Sequence, residues 1–350
     1  MAQVHHSQIA AAANVSRSTV SRALQNHPSL PAETRTRIQE LARQLGYTPN
    51  PLVSALMASR NRPKSNPDAA TLAVLTAWHP TTAIAPGPTD RRYLTGAKQR
   101  AEELGFRFEE FWLDEPGLSQ QRLGQILVNR GIVAVLIAPI PIDHPKIDLK
   151  WEHFSLAAFA PSPQIPILHQ ASHFHFRSSC LALRELLRMG YTRPALAIPH
   201  YLTDNVRDQW MGGFLVSSSN LPAANRLPPI QKKLSEEHFV RWCQTHRPDV
   251  ILSNDPTILE WLRGNKSCKR IAFANLDRHP FQNDMAGIDQ RHELVGIAAV
   301  DLIVGQFNRN ERGVPIHPRD LLIEGEWVHG ASAPAKSSRS EIQVKPKDAS

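Results

Sequence analysis

Apolar and polar positions along this chain follow two different periods, and the change comes near residue 70. Up to Leu45 the spacing is helical. Ile9, Ala10 and Ala13 share one face of a first short helix, and Asn14 interrupts it. Asn tolerates the left-handed conformation a tight turn needs. Ser16 then stands where a hydroxyl caps the next helix by taking one of its orphan amides. In that second helix Val20, Ala23 and Leu24 share one face, while Arg17, Ser18, Ser21 and Arg22 share the other. A third helix is expected from about Ala32 to Leu45, with Ile38, Leu41, Ala42 and Leu45 closing a core against Ile9 and Val20. Gly46 is its expected stop. Asn50-Pro51 is a cap residue followed by a proline suited to the first helical position. It opens a fourth apolar segment, Leu52, Val53, Leu56 and Met57, too short to be a stable helix alone. The polar, proline-bearing run over 59–70 reads as a tether.

From Thr71 onward short apolar runs alternate with amphipathic ones. Strands are expected at TLAVLTAW, RFEEFWL and VAVLIAPI, near 155–160 and 165–169, at PALAIPH, DVILS and RIAFA, and near 320–329. Helices are expected near 91–104, 119–130, 177–189, 205–217, 236–246 and 292–307, with one more after the Asn254-Asp255-Pro256 turn. Such alternation predicts parallel sheets covered by helices on both faces, and there are too many units for one sheet. The division expected is a helix-turn-helix head over 1–49, a hinge and linker over 50–70, a two-lobe α/β region over 71–330, and a disordered tail over 331–350.

Charge sharpens this division. The chain of 350 residues carries a net +8, yet residues 1–64 hold eight Lys/Arg against two Glu. The last twenty residues hold four basic against two acidic, which leaves 28 of each sign between them. A polyanion-binding role therefore belongs to the head. The basic, hydroxyl-bearing face of the second helix suits it. Arginine pairs bidentately with guanine, and hydroxyls hold phosphates. The three cysteines, Cys180, Cys243 and Cys268, have no CxxC spacing and fit reduced thiols. No long apolar run or basic-then-apolar leader is evident, so a cytoplasmic location is expected.

The head resembles the DNA-binding head of the lactose-repressor (LacI/GalR) family of bacterial transcription regulators. The resemblance rests on V-S-x-x-T-V-S-R (Val15 to Arg22), T-R-x-x-I (Thr34 to Ile38) and L-G-Y-x-P-N (Leu45 to Asn50), in that order. Weaker similarity runs on through L-G-F (104–106), R-G-I-V-A-V-L-I (130–137), M-G-Y (189–191), S-N-D (253–255) and G-I-D-Q-R-x-E-L-V-G (287–296). It implies a homodimeric repressor on a pseudo-palindromic operator, with a lobed domain like the periplasmic sugar-binding proteins. On this reading Ser16, Arg17, Ser18, Thr19, Ser21 and Arg22 contact DNA. Asn50 opens the hinge helix, and Leu56 matches the leucine that wedges into the minor groove. The family's tetramer-forming apolar heptad is missing from the tail, so a dimer is the expected end state.

The resemblance also implies a small-molecule effector, sugar-like in most relatives, in a cleft between the lobes at the carboxyl ends of the strands. Asn254 matches one polar anchor of that site. Other anchors depart. An expected aspartate is Ala160, an expected arginine is Trp210 with Arg207 one turn earlier, and a second expected aspartate falls near Leu276 with Asp277 beside it. Trp78 and Trp210 are candidates to stack on a sugar ring, or else core residues. No catalytic constellation is found, and no enzyme activity or cofactor is expected. The H-x3-H-x-H run of His169, His173 and His175 is read as structural, with no metal expected. The competing readings are a ligand-independent DNA binder whose lobes only dimerise, and a solute-binding or enzymatic domain with an appended basic head.

Overall fold

The computed structural model describes residues 4–24, 30–47, 70–78, 87–198, 204–230 and 235–336. Asn50, Leu56 and the rest of the expected hinge and linker lie outside the described residues.

The head is three helices around a small core: α1 (His6–Ala13), α2 (Arg17–Leu24) and α3 (Ala32–Gln44). Ile9, Ala10, Ala13, Val20, Ala23, Ile38 and Ala42 are buried together, with Leu41 and Tyr47 packed on their edge. Asn14 takes the left-handed conformation, φ 53°, and its amide returns to the carbonyls of Ala10 and Ala11. Polar side chains of α3 tie the other two helices down. Arg37 Nη1 donates to the Ala13 carbonyl (3.4 Å) and Gln39 Nε2 to that of Ala23 (2.8 Å). Both satisfy carbonyls at helix ends that have no intrahelical partner. One core expectation is corrected: Leu45 is 40% exposed. Gly46 reverses the chain at φ 76°, and Tyr47, not Leu45, closes that side of the core.

Two α/β units follow, and the chain passes between them at residues 172/173, 292/293 and 321/322. The sheet of the first has the order β10-β5-β4-β3-β1-β2. Its strands are β1 (Thr71–Thr76), β2 (Arg107–Trp112), β3 (Ala134–Ile137), β4 (Ser155–Ala158), β5 (His169–His173) and β10 (Asp320–Ile323). The ladders from β1 through β5 are parallel, for example Leu72 beside Ala134 and Ala134 beside Ser155. Strands β1, β3 and β4 are buried throughout, as a central parallel strand must be. The unit's helices are α4 (Pro88–Glu103), α5 (Gln120–Asn129) and most of α10 (His292–Arg309). Helices α4 and α10 touch backbone to backbone. A Cβ on Gly96 would lie 2.0 Å from the Glu293 carbonyl oxygen, and one on Gly296 2.2 Å from that of Tyr93. Arg92 clamps Glu293 through Nε and Nη2, both at 2.6 Å.

The second sheet has the order β11-β9-β8-β7-β6. It is built from β6 (Pro194–Leu196), β7 (Val250–Ser253), β8 (Ala272–Asn275), β9 (Ala286–Asp289) and β11 (Glu326–Val328). Strands β6 to β9 are parallel and β11 is antiparallel to β9. Helices α6 (His175–Arg188), α7 (Asp204–Ser218), α8 (Glu236–His246) and α9 (Thr257–Gly264) complete it. Strand β9 is absent from the sequence expectation, and β5 begins four residues later than the 165–169 assigned to it. The tail boundary is also corrected. Residues 331–336 are part of this unit: Ser332 bonds Phe273 and Asp284, Ala333 is buried, and Tyr191 Oη donates to the Pro334 carbonyl (2.8 Å). Among the described residues no helix is long and apolar enough to cross a membrane.

Candidate nucleic-acid interface and ligand site

The α2 face is set by its cap and its core. Ser16 Oγ accepts from the Thr19 amide (3.1 Å), the capping bond expected of it. The same oxygen meets Ser18 Oγ at 2.7 Å and Thr19 Oγ1 at 2.8 Å, so three of the candidate hydroxyls form one knot at the start of the helix. Val20 and Ala23 face inward and are fully buried. That burial fixes the rotation of the helix and leaves Arg17, Ser18 and Arg22 exposed, with Ser21 at the margin. The first turn of α2 carries no acidic residue. The result is a rigid, cationic, hydroxyl-rich helix face able to enter a DNA groove and reach base edges and phosphates.

The second site is built at the carboxyl ends of parallel strands in the unit of residues 173–292. Asn254 follows β7, Asp277 and His279 follow β8, and Gln290 and His292 follow β9. Ligands in open α/β sheets sit at this end of the strands. Asn254 Oδ1 is buried and has no hydrogen-bond partner among the described residues. Asp255 accepts from the Thr257 amide (3.0 Å) and hydroxyl (2.7 Å), which makes it the start signal of α9. Gln290 is held on both sides, by Ser178 Oγ (2.9 Å) and the Leu276 carbonyl (2.6 Å).

Beside them lies a buried histidine cluster. His292 Nε2 is 3.0 Å from Asp277 Oδ1, and His292 Nδ1 is 2.9 Å from His173 Nε2. The His279 ring stacks on that of His292 with centroids 5.2 Å apart. His175 stands edge-on to Trp210, centroids 4.8 Å apart. Burial would raise the Asp277 carboxyl, but the hydrogen bond from His292 and the neighbouring imidazoles outweigh it and hold it well below the usual carboxylate range. Burial pushes the other way on the histidines. It lowers His175 to about 4, and it lowers His173 well below its ordinary value with help from His292 and His175. Both are therefore neutral at physiological pH.

The structure distributes the remaining candidates plainly. Trp210 is 2% exposed and packs among Leu183, Phe214 and Leu276. Trp78 follows β1 and is also buried, with the Thr76 hydroxyl donating to its carbonyl (3.0 Å). Arg207 is half-buried and lies 3.5 Å from Asp208. The His169, His173, His175 run is split. His169 accepts from the Arg319 amide (3.0 Å) in the first unit, while the other two join the cluster of the second. His279 and His292 were not singled out from sequence. Their one signal is position: each lies shortly after a strand, but β9 was not recognised as one.

Comparison with known proteins follows the same division. Residues 7–50 match the family model described as bacterial regulatory proteins, lacI family. Over 42 residues the chain is 60% identical to the probable HTH-type transcriptional repressor ExuR of Bacillus subtilis (strain 168). That match covers 12% of this chain and only 13% of the length of that relative. Among solved structures, the chain is similar to the transcriptional regulator CelR in its cellobiose complex, at 17% identity and a TM-score of 0.53 over 94% of this chain and 100% of that one. It is also similar to the lac repressor dimer bound to operator and the anti-inducer ONPF, at 16% identity and a TM-score of 0.51 over 95% and 100%. At these identities the likeness is one of fold.

Proposed function

We propose, from the match of residues 7–50 to the family model described as bacterial regulatory proteins, lacI family, that the chain is a transcriptional repressor of that family. It binds a pseudo-palindromic operator as a homodimer, each α2 entering the major groove of one half-site. A small polar effector, sugar-like in chemistry, controls it from the strand ends of the α/β region. The observation that carries this reading is the α2 face. Val20 and Ala23 lock the helix from behind, and Arg17, Ser18 and Arg22 stand outward with no acidic neighbour in the first turn. Arg17, Ser18 and Arg22 select bases, while Ser16, Thr19 and Ser21 position the helix on phosphates. Asn254 is the leading anchor for the effector because its buried Oδ1 awaits a donor. Arg207, half-buried on α7, is its supporting candidate, while Trp78 and Trp210 are buried in the cores of their own units. Effector controls operator affinity by binding the DNA-competent and DNA-incompetent states unequally; equal binding would shift nothing.

The test is selection of binding sites from a random DNA library. The full chain is expected to enrich an inverted repeat. Arg17→Ala and Ser18→Ala are each expected to relax preference at defined half-site positions, Arg17→Ala by about 1–3 kcal/mol per lost base contact. An unchanged motif in both variants would remove α2 as the reading element.

A further inference from the structure

We propose that Asp277, His279 and His292 form a binding site for one divalent transition-metal ion. One donor atom from each lies within 4.8 Å of the other two, and both histidines are buried. His292 Nε2 and Asp277 Oδ1 are already 3.0 Å apart. Donors on a tetrahedral ion with bonds of about 2.0–2.1 Å stand roughly 3.3 Å from one another, so side-chain rotation alone closes the set. The backbone supplies the frame. Asp277 and His279 share the loop after β8, and His292 opens α10 directly after β9, the strand paired with β8.

Two features distinguish this cluster from a chance meeting of polar residues. The first is its outer layer. His292 Nδ1 faces His173 Nε2 at 2.9 Å, so the imidazole of His173 can accept the second ring N–H of a metal-bound His292, the role that a carboxylate, carbonyl or water more often fills. The second is the enclosure of His279. Its buried ring packs against both His292, centroids 5.2 Å away, and Phe281, 5.4 Å away and nearly parallel. Two imidazoles and a carboxylate select zinc, cobalt or nickel over calcium or magnesium, which take oxygen ligands. Three protein ligands leave a further position for water or for an oxygen of a second ligand.

The assignment is independent of the DNA-binding reading, because its test measures the ion. Tag-free full-length chain, stripped with EDTA, is titrated with Zn2+ against a chromogenic chelator, and with Co2+ by visible absorption. One ion per chain is expected, with the absorption of a low-symmetry nitrogen- and oxygen-ligated Co2+. Asp277→Asn and His279→Gln are each expected to weaken Zn2+ binding at least about tenfold. His317→Ala, at an exposed histidine, is expected to change nothing. Circular dichroism of the metal-free variants checks that they fold; should His279→Gln not fold, the isosteric Asp277→Asn carries the comparison. A wild-type chain that takes no stoichiometric ion overturns the assignment whatever the variants do. So does binding that persists at wild-type strength in Asp277→Asn, which would place the ion on surface histidines and leave the cluster a hydrogen-bonded brace.

Discussion

Asp249 joins three parts of its lobe through one carboxylate. It accepts from the Thr192 amide (2.7 Å) and the Arg193 amide (2.9 Å), and from Lys336 Nζ (2.7 Å) on the returning chain. Burial works to raise its pKa, but the Lys336 and backbone hydrogen bonds outweigh that and hold it below the ordinary carboxylate value. A carboxyl depressed in the folded state adds stability above its unfolded pKa of about 4, and that stability is lost as pH falls through the folded value. Asp249→Asn is therefore expected to destabilise the lobe at pH 7 by about 1 kcal/mol, the worth of hydrogen bonds to a charged group whose donors are partly exposed. In urea titrations the gap between wild type and variant should close below about pH 4. An equal gap at neutral and acid pH would assign the loss to packing, not charge. Residue roles that depend on near neighbours were legible in sequence. Asn14 as the turn and Ser16 as the cap each need only the next few residues. The Asp249–Lys336 pair and the meeting of His173, His279 and His292 were not legible, since they require the sheet register first.

At the scale of elements, long amphipathic helices and fully apolar strands were readable because their periodicity is set by burial. The helix expected over 236–246 is α8 to the residue. Strand β9 escaped because four residues, Ala-Gly-Ile-Asp, are too few for a period to show, and glycine argues against a strand interior. Its burial is conferred by β8 and β11 on either side. The α4–α10 crossing was equally silent, because a glycine in a helix normally only weakens it. In α10 the two glycines make a controlled pair. A Cβ at Gly305 would meet only the flexible end of Arg309, 3.2 Å away, whereas one at Gly296 would strike the Tyr93 carbonyl at 2.2 Å. Gly305→Ala is thus expected to stabilise by about 0.5–1 kcal/mol through helix propensity. Gly296→Ala should destabilise by about 1–3 kcal/mol, as overpacked sites do. Chemical denaturation of both variants decides it. The same sign in both would mean that the two helices separate without cost.

At the scale of the molecule the basic residues are segregated: +6 over residues 1–64, zero over 65–330. Affinity for any DNA therefore belongs to the head and falls steeply with salt, since each neutralised phosphate releases counterion. On the proposed reading specific affinity has a further source: Leu56 matches the wedging leucine of the family that the head resembles, and a homodimer would bring two copies of it to the operator centre. Opening a base step costs a few kcal/mol, which is offset by the contacts that the bent DNA allows. A flexible pyrimidine–purine step at the centre lowers that cost. Leu56→Ala is accordingly expected to lose most operator bending and about tenfold or more in operator affinity, since one unmade step of this kind is worth a few kcal/mol. Random DNA, held through phosphates alone, should be bound as before. Gel-shift affinities for operator and random DNA at one fixed salt concentration, with a bending assay alongside, separate the two contributions. Equal losses on both DNAs, or an unchanged bend, would show that Leu56 is not the wedge.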